Sequence, residues 1–197
     1  MGKNLTSEVK KALEIYNKDK KYEHYREEEK LIAELFKTHK ENTDEKFVLS
    51  KVCVLDSLYS TNLRMDEGRI YEMTKHILKL NIDKDLQNKS LELISKIADF
   101  TNQKGERKVL YSFATKYCFF HNPSFYIIYD SFVEKKLKSL NDEDKFYNFA
   151  QKDIKDYAKF MAIFKSFKSF YGLEAFSNRE LDHFLWISGK ELNKQKA

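Results

Sequence analysis

The sequence predicts an all-α fold, and three observations carry that expectation. Apolar residues recur at helical spacing through most of the 197 residues. The chain holds one proline and five glycines, too little turn chemistry for a β protein of this length. Hydrophobic residues make up 42% and aromatics 15%, enough to bury a core rich in phenylalanine and tyrosine rings. The length fits one domain spanning 1–197, or two small subdomains sharing a core.

The elements follow from the spacing. Residues 5–18 carry Leu5, Val9, Ala12, Leu13 and Tyr16 on one face, with Thr6 or Ser7 as N-cap and Glu8 near the positive end of the dipole. Residues 23–39 have an acidic start at Glu27, Glu28 and Glu29 and an apolar stripe of Leu31, Ile32, Leu35 and Phe36. A polar loop follows, and Thr43 or Asp44 caps a helix over 45–60. That helix is apolar almost all round through Phe47, Val48, Val52, Val54, Leu55 and Leu58, which predicts a central, buried position. It ends in the turn Tyr59-Ser60-Thr61-Asn62. Helices are expected over 66–80, 84–99, 131–140, 152–171 and 177–192, the last opened by a capping box of Ser177 and Glu180. Residues 141–148 read as a charged connection, and the polar run from Asn102 to Arg107, with Gly105 inside it, reads as a hairpin.

Composition excludes several classes. Cys53 and Cys118 belong to no metal-ligand spacing, so neither a structural zinc nor an iron–sulfur cluster is expected, and two lone thiols on helical patterns suit reduced core residues. No apolar run approaches the roughly 20 residues of a membrane span, and no signal peptide is visible. The expected location is the cytoplasm, with no membrane partner. Net charge is +5, compatible with a nucleic-acid partner.

The stretch from Ser112 to Ser131 is the chemically distinctive one. It holds Pro123, Lys116 and Asp130. The pattern before Pro123 is helical and aromatic. After it come the apolar residues Phe125 to Tyr129, and then Asp130 at a helix start. Lys116 lies about 7 Å back from its helix end at about 1.5 Å per residue. A loop of about eight residues spans up to about 26 Å, enough to return Asp130 to the level of the lysine. Phe113, Ala114, Tyr117 and Phe120 surround Lys116 in sequence. A poorly solvated amine loses its proton more readily and becomes nucleophilic. The plainer readings are a surface lysine and an aspartate that only caps a helix.

A helical lysine, then a proline, then an apolar run ending in an acid at a helix start resembles the active-site corner of the helix-hairpin-helix DNA glycosylases, in particular their 8-oxoguanine-glycosylase-like branch. The resemblance implies an all-α domain of two helical subdomains around a cleft. It makes Lys116 the Schiff-base nucleophile and Asp130 the residue assisting base loss. The Tyr59-Ser60-Thr61-Asn62 turn is similar to the family's Ser/Gln/Asn-rich turn that enters the duplex, which makes Asn62 the wedge; its plainer reading is a helix cap. His121 and Asn122 become base-pocket residues, as do His183 and Trp186 on the last helix, where an aromatic surface would stack a flipped base. Lys104, Arg107 and Lys108 become phosphate contacts. One departure stands out. The family's hairpin carries a Gly-hydrophobic-Gly turn, whereas here Gly105 stands alone in KGERK, so side-chain charge has to replace backbone amides.

The resemblance therefore implies an N-glycosylase, with AP lyase activity, that excises a damaged or modified base from duplex DNA as a monomer. No metal and no organic cofactor is implied. A nucleosidase acting on a free nucleotide or RNA, and a non-catalytic nucleic-acid-binding module of the same fold, are the alternatives. Phage defence stands beside DNA repair as the setting.

Overall fold

The computed structural model describes residues 4–59, 61, 63 and 68–194. Along the chain the helices are α1 (Thr6–Lys18), α2 (Glu23–Thr38), α3 (Glu45–Tyr59), α4 (Arg69–Leu80), α5 (Asp83–Gln87) and α6 (Glu92–Ala98), then α7 (Tyr111–His121), α8 (Ser131–Asp144), α9 (Tyr157–Phe170) and α10 (Asn178–Lys194). Short 3-10 turns occupy Lys20–Tyr22 and Gln151–Lys155. Strands β1 (Asp99–Thr101) and β2 (Arg107–Val109) form one antiparallel hairpin, with Phe100 opposite Lys108. The protein is mostly helical, as the periodicity required. It divides into two compact units, Met1–Glu23 with Ile127–Ala197, and His24–Tyr126.

The internal unit, His24–Tyr126, packs α3 against α4 and α7, and α6 against α7. Phe36, Val48, Val52, Leu55, Met73, Ile77, Ile94, Phe113 and Tyr117 are buried in it. Each large apolar side chain so buried contributes about 1.5–3 kcal/mol. Helix α3 is less uniformly apolar inside than its sequence promised. Phe47 is exposed, whereas Lys51 and Asp56 lie on the buried stripe. The single helix expected over 84–99 is two: α5 stops at Asn88, Lys89 takes a left-handed φ of 55°, and the Ser90 amide closes onto the Asp85 carbonyl. The Asn88-Lys89-Ser90 break was a turn signal that the apolar periodicity on either side masked.

In the unit made of the two chain ends, α10 packs on α8 and on α1. Gly189 permits the first contact: a Cβ there would come within 2.7 Å of the Phe132 carbonyl carbon. The expected capping box is present, with the Ser177 amide donating to Glu180 and the Glu180 amide to the Ser177 hydroxyl. At the start of α1 the cap is neither Thr6 nor Ser7; the Asn4 side chain accepts the Thr6 amide. Helix α8 runs through Asp144, beyond the expected end at 140, helped by the Lys138–Asp142 pair one turn apart. Helix α9 begins later than expected because Asp156 caps it, accepting the amides of Ala158 and Lys159.

Candidate active site around Lys116

Helix α7 carries a run of buried residues from Phe113 to Phe119. Such a helix has no solvent face along its middle, so a lysine placed there is buried whichever way it turns. Lys116 is 2% exposed. Its Nζ donates to the Ser112 hydroxyl at 2.5 Å and lies 5.5 Å from the centre of the Tyr59 ring. Tyr59 ends α3 and opens the Ser/Thr/Asn turn, and its ring also meets Phe120 of α7 edge-on at 5.8 Å. Beyond it, the buried Asp56 accepts the Thr61 hydroxyl at 2.6 Å and the Leu63 amide at 2.8 Å, fixing both residues to α3. Asn62, the expected wedge, lies outside the described residues.

A second polar cluster, which the sequence reading missed, lies within the same unit. The buried Asn42, in the loop between α2 and α3, is its centre. Its Nδ2 donates to Asp83 at 2.6 Å. Its Oδ1 therefore faces the donors: Lys51 Nζ at 3.1 Å, Tyr117 OH at 2.6 Å and His121 Nε2 at 3.1 Å. Because that oxygen only accepts, His121 carries its hydrogen on Nε2. Lys51 is fully buried, also donates to the Glu41 carbonyl, and lies 5.3 Å from the Phe36 ring centre. Burial pulls its ammonium down to about 8, against the opposing pull of the Asp83 charge. Burial likewise lowers His121 to about 3, and the Lys51 charge adds to it. Burial pushes the Tyr117 phenol well up. His121 is thus a neutral member of a structural network. A signal for Lys51 was present in the sequence, since it falls on the stripe of Val48, Val52 and Leu55; nothing in the sequence marked Asn42.

The remaining expected residues are distributed as follows. Asn122 ends α7; its side chain accepts the Ser124 hydroxyl and its carbonyl the amides of Phe125 and Tyr126, so it fixes the helix exit. The expected hairpin exists, as a β-hairpin between α6 and α7. Asn102 Oδ1 takes the amides of Lys104 and Glu106, and Gly105 supplies a left-handed φ of 79°. Arg107 is held by Asp99 through Nε at 2.6 Å and Nη2 at 3.1 Å, whereas Lys104 and Lys108 are exposed.

In the other unit, the Asp130 carboxylate caps α8 by accepting the Phe132 amide at 2.8 Å. His183 stacks on Tyr16 with ring centres 3.8 Å apart. Trp186 meets Tyr22 edge-on and carries Lys190 over its ring at 3.8 Å. Close by in sequence to Asp130, the buried Glu134 accepts from Tyr129 and from Gln151 and pairs with Lys155. Burial alone would raise that carboxyl; the hydrogen bonds and the lysine outweigh it and hold it low. Among the described residues no cluster of three His, Cys, Asp or Glu side chains suits a metal ion, and no helix is long and apolar enough to cross a membrane.

A family model described as an N-terminal domain, HI_0787_N, matches residues 8–125. The chain belongs to the HI_0787_N family. The matched segment holds Lys116, Ser112, Tyr59 and the whole Asn42 cluster, and it ends before Asp130, His183 and Trp186. A protein of Haemophilus influenzae, described as uncharacterized, is 40% identical over 146 residues, which is 74% of this chain and 67% of that protein. No solved structure matches the chain.

Proposed function

We propose that this member of the HI_0787_N family is an 8-oxoguanine-glycosylase-like enzyme that cleaves the N-glycosidic bond of a damaged or modified base in duplex DNA, with Lys116 as its nucleophile. The observation that carries this reading is the burial of the Lys116 amine against Tyr59. It sets the α7 lysine beside Tyr59, the last residue of α3, within one unit. A lysine exposed to bulk water would have favoured a non-catalytic binding module.

The step is a displacement at the sugar. The Nζ lone pair forms a bond to C1′, the C1′–base bond breaks, and its electron pair leaves with the base, which takes a proton. Opening of the sugar ring at O4′, which takes up a proton, then leaves an iminium that permits strand cleavage. The base must first leave the stack. Lys104 and Lys108, exposed on the hairpin, suit phosphate contact. The assisting carboxylate that the resemblance implies is Asp130, which heads α8.

Borohydride trapping tests the reading. Wild-type protein on a panel of modified duplexes should yield a covalent adduct that Lys116→Gln abolishes, with fold and DNA affinity retained. An adduct that persists in Lys116→Gln places the nucleophile elsewhere. One observation favours a second reading, a nucleosidase acting on a free nucleotide or RNA. Arg107 is committed to Asp99, and the hairpin holds a single glycine, which leaves less of it to grip a duplex. Base release from nucleotides in the absence of release from DNA would decide for that reading.

A further inference from the structure

We propose that Ser112 is the positioning residue for Lys116, holding its amine in the orientation that attack on a sugar carbon needs. The inference rests on the glycosylase reading above. A lysine side chain carries about 2 kcal/mol of rotamer entropy, and a nucleophile is productive only when held close to its attack geometry. Ser112 stands one turn before Lys116 on the same face of α7, and helical side chains lean back toward the N-terminus. The Lys116 amine lies along that direction, donating to Ser112 Oγ at 2.5 Å. With the Tyr59 ring at 5.5 Å on the α3 side, the hydroxyl and the ring bracket the amine.

A hydroxyl is a neutral acceptor: it takes one N–H and directs the nitrogen lone pair away from itself. In the reaction with an abasic-site aldehyde, the Nζ lone pair forms a bond to C1′, the carbonyl oxygen leaves as water, and an imine results. Ser112 forms no bond to the sugar; it acts through the amine.

The experiment compares wild type, Ser112→Ala and Ser112→Thr. Both substitutions leave the helix intact, since alanine is a better helix former than serine and threonine a comparable one. The first readout is borohydride trapping on a duplex with a single abasic site. Ser112→Ala should lower the trapping rate at saturating DNA about tenfold or more with Kd unchanged, and Ser112→Thr, which keeps the hydroxyl, should restore it. Equal rates in wild type and Ser112→Ala overturn the proposal, as does a loss that threonine does not rescue. The second readout needs no activity: methylation of Lys116 by formaldehyde and cyanoborohydride in the free protein, followed by peptide mass. Release of the amine should change its labelling rate about threefold or more in Ser112→Ala and leave it near wild type in Ser112→Thr. Identical labelling in all three proteins, including no labelling in any, overturns the proposal. Absence of a trapped adduct in every protein, with the labelling difference present, defeats the glycosylase reading and leaves the hold of Ser112 on the amine standing.

Discussion

Replacing Lys51 by methionine should remove a pH dependence from the stability of this protein. Lys51 is fully buried, and its amine falls from 10.5 to about 8 because burial disfavours the charge more than Asp83 supports it. The folded-state value lies below the unfolded one. Between about pH 8 and 10.5 the unfolded chain therefore binds more protons than the folded chain, and stability rises with pH through that window. At 1.36 kcal/mol per unit, the whole effect is about 3 kcal/mol, of which about 2 kcal/mol falls between about pH 7.5 and pH 10. Methionine keeps the length and the apolar stem and has no proton to lose. Asn42 Oδ1 retains Tyr117 and His121 as donors, so the cluster keeps most of its bonds. Urea denaturation of both proteins at the two pH values provides the measurement. The wild type should gain about 2 kcal/mol relative to Lys51→Met on going to the higher pH. A difference between the two proteins that stays constant with pH would refute the reasoning, because the amine would then titrate alike in both states.

His121 gives the acid counterpart. Its folded value of about 3 lies below the ordinary 6.5, so the stability present above about pH 6.5 is lost as pH falls toward 3. His121→Gln should remove roughly 3 kcal/mol of the decline between about pH 6.5 and pH 4, read by the same denaturation series. Gly189→Ala should destabilise despite a helix-propensity gain of about 1 kcal/mol. The new Cβ meets the Phe132 backbone, which no side-chain rotation relieves, and overpacking costs about 1–3 kcal/mol; an unchanged or higher melting temperature would contradict the close approach of α8 and α10. On the proposed mechanism, Asp130→Asn should keep the α8 cap within about 1 kcal/mol and lower base-excision rate by orders of magnitude, because an assisting carboxylate would lose its charge. Full activity in that variant would reduce Asp130 to its capping role.

Much of the fold was legible in the sequence because helix formation is local. The stripes at 5–18, 23–39 and 45–60 became α1, α2 and α3 within a residue or two, and the Ser177–Glu180 box formed as its spacing required. The breaks were harder. Asn88 to Ser90 and Asp156 carried short polar signals that the apolar pattern around them outweighed, although each closes its own hydrogen bonds and so ends or starts a helix. For the candidate site, the sequence marked Lys116 by its apolar neighbours, and it stated the Ser112–Lys116 interval without saying that the two side chains meet.

Where polar groups enter the core was settled by packing between distant segments. Lys51 carried a periodicity signal, but its partners did not. Asn42 lies nine residues away, Asp83 comes from the start of α5, and Tyr117 and His121 come from α7. A buried amine is tolerable only when acceptors reach it, here Asn42 Oδ1 and the Glu41 carbonyl, and the convergence of distant segments that holds Asn42 in place leaves no trace in local spacing. The same reason separates Arg107, a phosphate candidate by charge, from its partner Asp99, which the register of the β-hairpin brings alongside it. Local spacing was enough to mark most of the helical segments. Packing decided which side chains are held by a partner, because burial and hydrogen bonding belong to the folded neighbourhood rather than to the chain's own period.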